Sequence, residues 1–207
     1  MLYLRHIVSI IIIGFLSADG ANPETGWSWN QSQKQMFLYA EVQIDDQPAV
    51  GDGFSATECE AAPFTCDVVG VFVDREGVEL CVGWQYTGTA GGGLTEIPIM
   101  SDDGSDLTDG YTNDGEVPYF KVFDSSNQST LELIPGEDIP GFANNEFVNL
   151  TAPMTADNIF GCVDSAGLGA CNVDSNATAD DGSCWYPNSG CDCAAGQGAV
   201  TDCAGTC

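Results

Sequence analysis

The residue types best suited to chemistry lie in one stretch, "ACNVDSNATADDGSC", residues 170–184. Asp174, Asn176, Thr178, Asp180 and Asp181 place side-chain oxygens at alternating or adjacent positions of a loop with almost nothing apolar in it. Calcium takes about six to eight oxygens, backbone carbonyls and water included, and tolerates irregular geometry. Alternate-residue oxygens followed by a glycine turn have the logic of calcium loops, although the spacing is not that of an EF-hand. Calcium is therefore the candidate cofactor, and no organic cofactor is implied. The competing reading is that these side chains only make Asx turns and cap the backbone. "SDDGSD", with Asp102, Asp103 and Asp106, is a weaker second candidate for the same ion.

Other chemistries lack their residues. The N-terminus, "MLYLRH", then "IVSIIIIGFLS", then "ADGA", has the layout of a secretory signal peptide, expected over residues 1–21. Its apolar run falls short of the roughly 20 residues of a comfortable membrane span. The only histidine, His6, leaves with that leader. A mature chain without histidine has no Ser-His-Asp or Cys-His machinery and no histidine-held metal. "TGTAGGGLTE" is glycine-rich but has no lysine after it, so it reads as a flexible loop and not a phosphate cradle. A carboxylate-pair glycosidase is formally open, but abundance of acids is not placement. Trp27 and Trp29, two residues apart in "GWSWN", share a face if extended and are the candidates for stacking on a sugar ring. Closing one end of a core is the alternative use for them.

Cleavage after Ala21 leaves 31 − 1 = 30 acidic and 4 − 1 = 3 basic side chains, Lys34, Arg75 and Lys121, for a net charge near −27. Such a surface repels phosphate backbones and anionic membranes, so nucleic-acid binding and membrane association are not expected. Export also makes the ten cysteines readable as disulfides before metal ligands. Cys59 and Cys66 are close in a small, polar loop and are the natural partners of each other. A bridge closing so short a loop contributes on the order of 2 kcal/mol or less. Cys81, inside a strand and opposite Trp84 by simple alternation, is expected to be a buried free thiol. The other seven, Cys162, Cys171, Cys184, Cys191, Cys193, Cys203 and Cys207, are expected to staple a separate tail, with connectivity open. Their odd number leaves an intermolecular bridge, one free thiol or an array continuing beyond Cys207.

The elements that must position these residues are strands. Met36, Leu38, Ala40, Val42 and Ile44 alternate onto one face of "QMFLYAEVQI". "DVVGVFV" is apolar on both faces, as a central strand is, and "DREG" turns it into "VELCVGWQY". "LTEIPIM", "VPYFKVFD", "STLELIP" and "NEFVNLT" are further strands, with Pro98 and Pro118 marking edges or strand starts. Gly70 and Gly83, inside strands, mark a bulge or a close backbone approach. No stretch has a sustained helical period. The expectation is all-β: an antiparallel β-sandwich over residues 22–158, then a disulfide-rich, loop-dominated tail over 159–207.

Two sets of motifs carry a resemblance. "DVVGVFVDREGVELCVGWQY", followed by "PIMSDDGSDLTDGYTNDGEVPYFKVFD", resembles a repeated β domain of large secreted and cell-surface proteins of marine bacteria, over about residues 27–150. "SATECEAAPFTC" looks like an added, disulfide-closed loop relative to that pattern. In the tail, "GCVDSAGLGACNVDSNATADDGSCWYP" resembles the G-C-x-D…A-C-N-Y…D-D-G-S-C repeats of the same proteins, with Val173 where tyrosine is usual and a longer "AGLG" spacer. "CDCAAGQGAVTDCAGTC" resembles tandem D-C-x-G-x-C units, the first with Gln197 in place of its closing cysteine. The family has no established activity. The resemblance implies a secreted or cell-surface location and other domains of the same protein as partners. It also implies a chain that continues past Cys207.

The resulting expectation is a non-enzymatic extracellular module, a structural or adhesive part of a larger protein. A carbohydrate-binding module with extracellular polysaccharide as partner is the alternative. Purified protein should show no turnover of common esters, peptides or glycosides in standard assays. Robust hydrolysis, lost on changing one acidic residue, would sink the non-enzymatic reading.

Overall fold

The computed structural model describes residues 21–51, 54–62, 64–164, 167–203 and 206–207. The expected leader, residues 1–21, lies outside the described part except for Ala21. Strand β1, Gln35–Ile44, buries the five alternating side chains Met36, Leu38, Ala40, Val42 and Ile44. Asp45 and Asp46 follow with φ of 52° and 60°. Left-handed backbone at both central positions is what a two-residue hairpin needs. The turn delivers β2, Gln47–Pro48, back onto β1. Glu76 and Gly77, at φ 57° and 84°, do the same between β3, Val68–Arg75, and β4, Val78–Tyr86.

β5, Leu94–Met100, runs antiparallel to β1. β6, Tyr119–Asp124, and β7, Ser129–Pro135, extend the other side from β3 in antiparallel register. Two short strands, β8, Phe147–Asn149, and β9, Met154–Ala156, run parallel to β1. β1 is flanked by β5 and β8 over Phe37–Tyr39, and by β2 and β9 over Gln43–Ile44. The strand order β2-β1-β9-β7-β6-β3-β4, with β5 and β8 also on β1, makes one curled, mixed sheet. This differs from the expected pair of antiparallel sheets. The difference lies in β8, inside the expected strand "NEFVNLT", and β9, both of which run parallel to β1; β9, at three residues, is too short to show an alternating pattern.

The curl brings β4 back against β5, and glycine permits it. A Cβ on Gly83 would lie 1.8 Å from the Pro98 carbonyl oxygen. Pro98 has no N–H to give to a ladder on that side, so β5 ends the hydrogen-bonded sheet there while the backbones still touch. A second register feature corrects the expected face of Cys81. Val71 pairs with Gly83 but Phe72 pairs with Cys81, leaving Val82 as an extra residue. The bulge flips the alternation. Cys81 therefore shares a side with Trp84, which faces Gly70, the residue two before Phe72.

The remaining pieces cover the sheet. The only α-helix among the described residues, α1, is the short turn Ala56–Ala61. Ser55 and Glu58 cap it reciprocally, side chain to backbone in both directions. Cys59 and Cys66 are bonded to each other as expected, and both are fully buried. In the tail, β10, Phe160–Gly161, and β11, Ala179–Asp180, form a small parallel pair.

The two glycines allow a graded test. Gly83→Ala drives a Cβ into backbone, whereas a Cβ on Gly70 would meet the Phe72 and Trp27 rings at 2.6 and 2.7 Å. Rings can shift and a β5 carbonyl cannot do so without moving its strand. Gly83→Ala should cost about 3 kcal/mol in urea denaturation, and Gly70→Ala about 1–2 kcal/mol. Equal losses, or a neutral Gly83→Ala, would contradict the closure described.

Candidate functional site

The densest polar constellation lies where sheet and tail meet, and it centres on Asn158. Its side-chain NH₂ donates to Asp45 Oδ2 and to Asp124 Oδ2, each at 2.9 Å. Its backbone N–H donates to Asp45 Oδ1 at 2.8 Å. Its carbonyl Oδ1 accepts from Thr178 Oγ1 at 3.1 Å and, more weakly, from Ser129 Oγ at 3.5 Å. Two carboxylates can only accept, so the amide orientation is determined. Thr178 Oγ1 in turn accepts from Ile159 N–H at 2.8 Å. The Asp45–Asp46 turn, the start of β7 and the tail thus converge on one residue that is 9% exposed.

Around it the acidic groups are satisfied by donors and not by cations. Asp124 also accepts from Ser126 N–H, Ser126 Oγ, Asn127 N–H and Asn127 Nδ2. Burial works against its ionisation, but these hydrogen bonds outweigh it and the carboxyl stays below its usual range. Asp67, at the entry to β3, accepts from Val50 N–H, Ser125 N–H and Ser125 Oγ. There burial wins, and its carboxyl is raised despite those donors.

The expected calcium residues have local partners. Asp174 Oδ1 accepts Asn176 N–H, Asp180 Oδ1 accepts Gly182 N–H, and Asp181 Oδ1 accepts Ser183 N–H. Each closes an Asx turn on the residue two further along. Thr178 points away from these carboxylates, to Asn158. Asp102 caps Gly104, and Asp103 accepts from Gln33 N–H, Ser105 N–H and Thr108 Oγ1. Those donors hold the Asp103 carboxyl far below its usual range. Asp106 is not drawn into that cluster by any hydrogen bond seen. Among the described residues no three His, Cys, Asp or Glu side chains come together in a way that could hold a metal.

The tryptophans serve packing. Trp29 is buried in the core, and Trp27 lies over Gly70 with its ring edge-on to Phe72, centroids 5.2 Å apart. Trp29 is thereby closed off as the expected sugar-stacking residue, while Trp27 stays half-buried against the core.

Tail connectivity is now fixed as Cys162–Cys184, Cys171–Cys193 and Cys191–Cys207. Each bridge encloses one cysteine of the next. The two 22-residue loops contribute about 3 kcal/mol each by chain entropy. Cys203, expected in a disulfide, is an exposed free thiol. Cys81 is free as expected, half-buried, with burial pushing its thiol up to about 12. Four disulfides fit an oxidising environment.

One ion pair organises the acidic loop before β6. Arg75 grips Glu116 with two bonds of 2.7 Å and also donates to the Gly110 and Tyr111 carbonyls. The Arg75 guanidinium draws the Glu116 carboxyl down to about 2. A depressed carboxyl adds stability above its unfolded value near 4.5 and loses it as pH falls toward 2. Glu116→Gln should cost about 1–2 kcal/mol at pH 7 and flatten the stability profile between pH 4.5 and 2. An unchanged acid limb in denaturant titrations would contradict the assignment. No family model, characterised protein sequence or solved structure matches this chain.

Proposed function

We infer that this chain is a non-catalytic extracellular module, a structural or adhesive part of a larger surface protein. In this reading the curled sheet and the stapled tail act as one stiff body. The observation that carries it is the joint: Asn158 hydrogen-bonds two sheet carboxylates on one side and Thr178 of the tail on the other. A tail meant only as a flexible linker would have no use for a nearly buried, fully partnered amide at its root. The interleaved bridges extend the stiffness outward, because no disulfide loop can swing without moving the next.

Further support comes from what is absent from the mature sequence, namely any histidine, and from the resemblance of both regions to secreted marine bacterial surface repeats. In such a protein the exposed Cys203 thiol, inside the Cys191–Cys207 loop, continues the interleaving by pairing with a cysteine of a neighbouring unit. The acidic surface keeps identical units apart and soluble in salt.

Hydrogen exchange on Thr178→Val tests the joint. Loss of the hydroxyl frees the Ile159 N–H and leaves Asn158 Oδ1 with only the weaker Ser129 donor. Exchange at Ile159, Thr178 and Ala179 should accelerate at least tenfold, with β3, β4 and β6 unaffected. A wild-type tail that already exchanges at unprotected rates would overturn the stiff-body reading.

A further inference from the structure

Beside β6 and along β7 the sheet carries exposed apolar side chains, Val117, Tyr119 and Ile134. Tyr119 ends an aromatic row: Trp27 edge-on to Phe72, then Phe72 stacked on Tyr119 with centroids 5.8 Å apart. Lys121 lies 5.1 Å from the Phe72 ring centre and is paired with Glu79, which also holds the Tyr119 hydroxyl. Beyond this row a groove of about 800 Å³ runs between residues 117–121 and 132–139. Its apolar lining includes Val117, Ile134 and Ile139, with Pro118 and Pro135. Val117 and Ile134 are 55% and 56% exposed and, with Ile139 and the two prolines, line one groove.

The charges around this floor decide what fits it. Glu132, Glu137 and Asp138 line the groove against the single ammonium of Lys121. That ammonium is already neutralised by Glu79, so the groove presents uncompensated negative charge. A second copy of the chain, near −27 itself, is repelled. The floor is also wrong for a glycan. It is aliphatic and prolyl, one face of Tyr119 is taken by Phe72, and its hydroxyl is taken by Glu79.

We propose that this groove docks a polypeptide segment of a partner protein in which aliphatic side chains alternate with lysine or arginine. In an extended segment of that kind one face meets Val117, Ile134 and Ile139, while the basic residues reach Glu132 and Asp138. This surface adds a partner chemistry to the adhesive reading and does not depend on the stiffness of the tail.

The test is an amide NMR titration of the full mature chain with a hexapeptide of alternating lysine and valine, at physiological salt. Saturable shifts confined to residues 117–121 and 132–139 are expected. Ile134→Asp should weaken binding at least tenfold although it makes the protein more negative. Val117→Asp, also exposed, is the second variant should Ile134→Asp fail to fold. Non-specific attraction predicts the reverse: shifts spread over the acidic surface and equal or tighter binding by either variant. That result would overturn the proposal. So would localised shifts from a neutral hexasaccharide such as cellohexaose with none from the peptide, which would make the groove a glycan site.

Discussion

The structure hangs on a buried amide between carboxylates. Asn158 supplies both its N–H bonds to Asp45 and Asp124, and both its lone pairs receive hydroxyls. Without it, two carboxylates face each other across the open end of the sheet with like charge and no counter-ion. A hydrogen bond to a charged group contributes about 1.5–3 kcal/mol, and an unsatisfied buried partner costs a similar amount when it is lost. The β1–β2 turn, the β6–β7 turn and the root of the tail are all held at this point. Replacing the amide by a carboxylate would put three like charges in one place. Asn158→Asp is therefore a more damaging change than Asn158→Ser.

The same economy of cations runs through the molecule. Only three positive side chains lie in the described residues, and the two in the sheet each hold a carboxylate: Arg75 with Glu116 and Lys121 with Glu79. Many of the other carboxylates are satisfied by backbone N–H groups, hydroxyls and amides. Asp164 takes Leu168, Gly169 and Ala170 N–H groups, and Asp192 caps the Cys193–Ala195 turn. Charge that cannot be paired is spent on turning the chain, which is how a tail without a core keeps a shape between its disulfides.

How much of this was legible in the sequence follows from which signals are periodic. The alternation of Met36 to Ile44, the hairpin turn at Glu76–Gly77 and the Cys59–Cys66 loop could be read because each is local. The close-approach meaning of Gly83 was legible, but its partner Pro98 was not, since that contact depends on the curl of the whole sheet. The bulge at Val82 inverted the expected side of Cys81, because one extra residue defeats a period of two. β8 lies within the expected strand "NEFVNLT", but its parallel direction leaves no sequence signal, and β9, with three residues, leaves no pattern. Asn158 had no signal at all, being a lone amide whose partners come from residues 45, 124 and 178. Ile134 had one: in "LELIP" the alternation buries Leu131 and Leu133 and forces Ile134 outward.

The central claim is that sheet and tail are one body joined at Asn158. Backbone ¹⁵N relaxation on the oxidised mature chain measures it most directly. One rotational correlation time for residues 35–156 and 159–193 is the predicted result, with Asn158→Asp shortening that of the tail alone. A wild-type tail already tumbling faster than the sheet would contradict the account.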